Sequence, residues 1–248
     1  MTVHALLADP PVEGHVLDGI TALSDEEAAE LYAAMVKDTM RNVDGTGGDL
    51  LVNYPPARDF PDGILDGPPP ETALRELAED ALDDLNEVRF EVQVGDSFAE
   101  RASNTASHLL EEEDAASVAI LDGLAPTLLR TALDSAAMTL RRNEVVLAPG
   151  AGGRIAYLGL TEPIDLEPLL MPPEVESVTA FAIDTGYSVD FLPMHPVVST
   201  DDGLATAVAS IRSHRRADRL VPEFTAEAIE ELGIHVGEKT GRRGLLRD

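Results

Sequence analysis

Residues with chemical capacity are spread thinly along this chain. Asp44-Gly45-Thr46-Gly47-Gly48 and Gly150-Ala151-Gly152-Gly153 have the composition of phosphate-cradling loops. Such a loop needs a helix behind it, so that free amides point at the anion. Both stretches lead instead into apolar runs that read as strands, and neither ends in Gly-Lys-Ser/Thr, so both are read as turns. No Gly-x-Ser-x-Gly or His-Glu-x-x-His occurs, which removes the familiar hydrolase and zinc-protease signatures. His195 follows an expected strand, where an α/β site would place it. Glu111-Glu112-Glu113-Asp114 and Asp201-Asp202 could ligate a cation, but among 46 acids such runs read as solvated faces. Two stretches are locally basic, Arg212-Ser213-His214-Arg215-Arg216 and Lys239 to Arg247. They would bind an anionic ligand, dock on the protein's own acids, or simply favour a helix C-terminus ahead of a loose tail.

The elements that must position these residues alternate between two periodicities. Short apolar runs at 3–8, 49–54, 116–121, 144–148 and 154–160 read as strands, as do the segments 88–94 and 187–192. Ser24-Asp25-Glu26-Glu27 is a capping box, after which Ala28, Leu31, Met35 and Met40 recur at helical spacing. Further helices are expected over 71–85, 97–110, 126–140 (with proline in its first turn), 173–185 ended by Gly186, and 203–213 as the last. Residues 53–70, with six prolines and three aspartates, read as a loop. Alternating strands and helices imply a mostly parallel sheet covered on both faces. One domain is expected over residues 1–236, followed by a basic, loose tail at 237–248.

Composition sets the outer bounds. The 248 residues carry 46 acidic and 18 basic side chains, a net charge of −28, with no cysteine. Disulfides, thiolate catalysis, iron–sulfur clusters and cysteine-based zinc sites are excluded. Lysine occurs only at Lys37 and Lys239. Nothing supplies the broad cationic face that duplex nucleic acid requires. No apolar run approaches a membrane span, and residues 1–20 lack the basic start of a signal peptide. A soluble, cytoplasmic protein is expected. A folded chain of this mass exposes roughly 10,600 Å², which puts its acids on the order of 15 Å apart. Their repulsion is only partly screened at ~0.1 M salt and nearly vanishes at ~1 M. A lysine-poor, acid-rich chain of this kind reads as the product of a salt-in extreme halophile, the alternative being an acidic protein of an ordinary cytoplasm.

Several segments together resemble one family. Leu7 to Val16, Leu23 to Tyr32 and Asp38-Thr39 resemble the opening of the selenodomain-associated transferases. Gln93-Val94-Gly95-Asp96 with Glu100-Arg101, Ala116 to Leu128, and Val145 to Leu160 resemble later segments of the same family, so the likeness spans residues 3–210. It implies a three-layer α/β sandwich with a mostly parallel sheet, the glycosyltransferase-A or nucleotide-diphospho-sugar-transferase fold, in a degenerate member of haloarchaeal type. It also shows what is missing. Leu17-Asp18-Gly19 stands where the family has a basic loop. Leu124 stands where it has an aspartate, a metal-side or phosphate-side ligand, with Asp122 two residues earlier. Gly152-Gly153-Arg154-Ile155 replaces Asp-Gly-Gly-Tyr, and Val197-Val198-Ser199-Thr200 replaces Asp-x-Asp-Thr.

A diphosphate donor needs a divalent cation or basic groups to hold its phosphates. The expectation is therefore a ligand-binding or interaction module without standard metal-dependent transfer, and with no metal or other cofactor. The alternative is an active nucleotidyl- or glycosyltransferase with a rearranged site using Mg²⁺ or Mn²⁺. The partner would be a nucleotide, a nucleotide sugar or another anionic small molecule, with neither duplex nucleic acid nor membrane involved. Loops at the carboxyl ends of the strands should gather the candidate ligand residues Pro11, Gly14, Gln93, Arg101, Asp122, Arg154 and His195. Arg154 and Arg101 would stand in for the lost basic loop. If the acids are a salt adaptation, near-UV circular dichroism will be lost on dialysis to low salt and regained in multimolar KCl. An equal melting temperature in both would contradict it.

Overall fold

The apolar run at the N-terminus forms β1 (Thr2–Leu7), buried along its whole length, as a strand covered on both faces demands. In this computed structural model residues 1–248 are described except 62, 63, 66, 240 and 248. Three positions of the expected proline-rich loop and two of the expected tail thus lie outside the described residues. Six further strands join β1: β2 (Asp49–Tyr54), β3 (Arg89–Val92), β4 (Ser117–Leu121), β5 (Val145–Pro149), β6 (Ile155–Leu160) and β7 (Val189–Phe191). They form one sheet in the order β3-β2-β1-β4-β6-β5-β7. β6 runs antiparallel to both neighbours, while the other pairings are parallel.

Helices cover both faces. α1 (Asp25–Asp44), α2 (Pro70–Ala81), α4 (Arg130–Thr139), α6 (Asp201–Arg216) and α7 (Glu223–Glu231) pack on one side. There Leu31, Met35, Leu74, Leu133, Val208 and Ile229 meet Leu6 and Val52. α3 (Phe98–Ser107) and α5 (Glu174–Thr185) pack on the other, where Ala102, Ala106, Val178 and Ala182 meet Val3, Ala5 and Leu7. The period of two along β1 thus divides the core between the faces. The chain is a three-layer α/β sandwich, as expected. Among the described residues no helix is long and apolar enough to cross a membrane.

The capping box forms as read: Glu27 N–H donates to Ser24 Oγ (3.3 Å) and Ser24 N–H to Glu27 Oε2 (2.8 Å). Gly186 ends α5 at φ 84°, a backbone conformation that glycine adopts without steric cost. Two expectations need correction. Helix α4 begins at Arg130 rather than 126, because Leu128 is drawn into the core and Leu129 is extended (φ −73°, ψ 164°). The C-terminal part is neither helix-free nor a loose tail. α7 follows α6, and β8 (Ile234–Lys239) pairs antiparallel with β9 (Arg242–Arg247), so the expected boundary at 237 falls inside a strand.

Two polar contacts fasten this C-terminal part to α1. Arg247 donates to both carboxylate oxygens of Glu27 and to the Ala22 carbonyl, and this guanidinium holds Glu27 down to a pKa of about 2. Docking on the protein's own acids is therefore what this part of the basic stretch does. Asp38, 2 % exposed, accepts hydrogen bonds from Phe224 N–H (3.2 Å), Thr225 N–H (2.7 Å) and Thr225 Oγ1–H (2.7 Å). These satisfy amides at the start of α7 that no helical carbonyl can reach. Burial raises the Asp38 pKa, opposed by those same donors. Asp38→Ala is expected to lower unfolding free energy in urea by about 3 kcal/mol, with Asp38→Asn recovering part of it. A wild-type midpoint for Asp38→Ala would remove this role.

Candidate functional site

The parallel strands deliver their following loops to one edge of the sheet. There the loops after β1 and β4, the β5–β6 turn and the segment before α6 enclose a cleft of about 490 Å³. Its wall is about equally polar and apolar, with Leu7, Leu17, Phe98, Ile120, Leu124 and Leu158 among its lining, and its ionisable groups are Asp9, His15, Asp18, Tyr32, Asp122, Arg154 and Glu174.

Asp122 follows β4 directly and is half-buried on the cleft floor, accepting a hydrogen bond from Leu124 N–H (2.9 Å). Desolvation pushes its pKa up to about 6, against the opposing effects of that amide and of the Arg154 charge. Asp9 follows β1, and its N–H donates to the hydroxyl of the buried Tyr32 (3.1 Å). Burial raises the Asp9 pKa, while the charges of His15 and Arg101 pull the other way. His15 Nε2 lies 4.0 Å from Asp9 Oδ2, and its ring leans on Phe60 at 4.8 Å. Burial, with Asp9 next, drives the Tyr32 hydroxyl well above its ordinary range.

Arg154 owes its place to the glycines before it. Gly152 and Gly153 take φ of 70° and 82° in the turn between β5 and β6, which side chains with a Cβ rarely tolerate. The turn delivers Arg154 into the cleft, where Nη1 donates to Ser199 Oγ (2.8 Å). Ser199 belongs to the segment before α6, which Val198 N–H fastens to the Leu124 carbonyl (2.7 Å). The loop over the cleft is held from the same side. Thr21 and Ala22 N–H donate to Asp201 Oδ1 at 2.8 and 3.1 Å, so Asp201 is a loop anchor rather than a solvated acid.

Of the seven residues singled out from sequence, the cleft wall contains Asp122 and Arg154. Pro11 and Gly14 lie in the loop between Asp9 and His15, where Gly14 turns the chain at φ 70°. Gln93 is buried, donating to the Asn53 carbonyl (2.6 Å) and accepting from Arg101 Nη1 (3.2 Å). Arg101 also donates to the Gly95 carbonyl (3.0 Å) and pairs with Asp59 (2.9 Å). Its guanidinium is thus committed to fastening the ends of β2 and β3. His195 bonds through Nδ1 to Thr127 Oγ1 (3.1 Å) and through its N–H to the Pro149 carbonyl (2.9 Å), outside the cleft wall. Sequence reading missed Tyr32, His15, Glu174 and Ser199 as cleft groups. Tyr32 sits on the buried stripe of α1, where periodicity assigns it to the core.

No protein-family model and no curated protein matches the chain. Among solved structures, it is similar to a candidate nucleotide-diphospho-sugar transferase from Desulfovibrio desulfuricans G20. The two share 18% identity, with 93% of this chain and 94% of that one covered, at a TM-score of 0.73. It is also similar to 4-diphosphocytidyl-2C-methyl-D-erythritol synthase from Anaerococcus prevotii DSM 20548, at 10% identity and a TM-score of 0.50, covering 85% of this chain and 98% of that one. The chain has the nucleotide-diphospho-sugar-transferase fold.

Proposed function

We propose that the cleft binds a nucleotide- or nucleotide-sugar-type anionic ligand on Arg154, without standard metal-dependent transfer, in a degenerate relative of the selenodomain-associated transferases. The observation that carries this reading is the position of Arg154. It is the guanidinium in the cleft wall, oriented by Ser199 and in no carboxylate ion pair among the described residues. A planar guanidinium can grip a phosphate or carboxylate with two parallel hydrogen bonds and no metal. The fold supports the ligand class, since the protein from Desulfovibrio desulfuricans is named for a nucleotide-diphospho-sugar.

The donor set does not fit the Mg²⁺ or Mn²⁺ that the fold suggests. Among the described residues no group of three or more histidines and acids is arranged to hold a metal ion. Leu124 stands two residues beyond Asp122, and one oxygen of Asp122 is already engaged by Leu124 N–H. A hard divalent cation wants about six oxygen ligands, several of them charged. One observation favours the second reading, an active nucleotidyl- or glycosyltransferase in a rearranged site. Asp122, with a pKa of about 6, can give or take a proton near neutral pH, as a general acid or base must.

Melting temperatures with nucleoside triphosphates and nucleotide sugars, in EDTA and in Mn²⁺, test the first reading. At least one compound should stabilise the protein equally in both, and Arg154→Ala should abolish the effect. Stabilisation that requires Mn²⁺ and survives Arg154→Ala would overturn it in favour of the second.

Asp122 adds a pH signature. Its carboxylate repels an anion beside Arg154, and protonation removes that charge. Affinity for the anion should therefore rise as pH falls through about 6, and should be high and flat across that range in Asp122→Asn. A profile that persists unchanged in Asp122→Asn would contradict this assignment.

A further inference from the structure

β3 closes one side of the sheet, and among the described residues no strand lies beyond it. Its inner neighbour is β2, paired in parallel. Gln93 N–H donates to the Tyr54 carbonyl (2.7 Å), and along such a strand successive backbone groups point to opposite sides. The odd-numbered residues therefore bond to β2, while the N–H and C=O of Phe90 and Val92 point out of the sheet. An edge of this kind is a template for another strand, and many proteins blunt it with a proline or a bulge. β3 has neither, and Val92 is 47 % exposed.

The residues around Phe90 decide which strand fits. Val88-Arg89-Phe90-Glu91-Val92 reads alike in both directions, except that its two opposite charges exchange places. Laid antiparallel on a second copy about a two-fold axis at Phe90, it sets Arg89 opposite Glu91, Phe90 opposite Phe90 and Val92 opposite Val88. Opposed residues share a face of the sheet, where opposite charges and aromatic pairs attract. Arg89 and Glu91 lie on the α3 side, where Arg89 also donates to Glu113 at 2.7 and 2.6 Å. Phe90 lies on the α2 side, its ring 4.0 Å from the Arg75 guanidinium. The two Phe90 residues would exchange a pair of backbone hydrogen bonds, and each Val92 N–H would reach the opposing Val88 carbonyl. Moving the axis one residue to Glu91 would set that carboxylate against itself, so charge selects the register. β7, at the other side of the sheet, carries Asp190 and no cation, and has no such match. Each copy bears a net charge of −28, so attraction between copies has to be local, and this segment supplies it.

We infer that two copies of the chain join along β3 in this register, as a two-fold dimer whose sheets run into one another.

Sedimentation velocity over a concentration series, with native mass spectrometry, tests the inference on the full chain. The wild type should show a reversible monomer–dimer equilibrium. Val92→Pro removes an N–H that faces out of the sheet and leaves the bonds to β2 in place. It should keep the wild-type melting temperature and weaken the dimer about tenfold or more. Glu91→Lys and Arg89→Glu should each weaken it as well, by setting like charges opposite one another. Mixed in equal amounts, these two variants should dimerise with one another more tightly than either does alone, because the mixed pair restores both attractions. A wild type that stays monomeric, a dimer undiminished in a folded Val92→Pro, or a mixture of folded charge variants that associates no better than its components would each overturn the inference.

Discussion

Asp122, just after β4, and Arg154, in the β5–β6 turn, line the same cleft, a carboxyl and a guanidinium that are each half-buried. Burial raises the Asp122 pKa to about 6 even though the Arg154 charge opposes the shift. Desolvation therefore outweighs the attraction. Everything nearby holds that arrangement. Glycines at positive φ deliver Arg154, Ser199 orients it, and the Leu124 loop carries both the amide on Asp122 and the carbonyl that fixes the segment before α6.

The rest of the fold supplies rigidity to that edge. Six parallel-running strands bring their carboxyl ends together, and β6 enters antiparallel so that Ile155 and Ala156 begin at the cleft. Asp201 fastens the loop over the cleft, and Arg101 ties the ends of β2 and β3 through Gln93, Gly95 and Asp59. Asp38 and Glu27 then bind the C-terminal helix and hairpin to α1. Polar chemistry that resembles a site in the sequence is here largely spent on holding the loops.

That division explains what could and could not be read from the sequence. β1, β2 and the start of α1 were legible because an apolar run and a Ser-x-x-Glu cap are local signals. α7 was not. Its buried apolar residues are few, and its start is stabilised by Asp38, 186 residues before Phe224. The β8–β9 hairpin was hidden by its basic residues, one of which, Arg247, is held by Glu27, 220 positions away. Arg154 and Asp122 were nameable from sequence, but so was Arg101. Only three-dimensional placement separates a guanidinium in the cleft from one occupied by Gln93 and Asp59.

The proposed function places the cleft's positive charge on the Arg154 guanidinium and not on a metal ion. A crystal structure of the protein with a stabilising nucleotide or nucleotide sugar, grown with Mn²⁺ present, addresses it directly. The expected result is an anionic oxygen of the ligand at about 2.8 Å from Arg154. An ion bridging the ligand to Asp9 and Asp122 with oxygen ligands, while Arg154 remains on Ser199 alone, would contradict it.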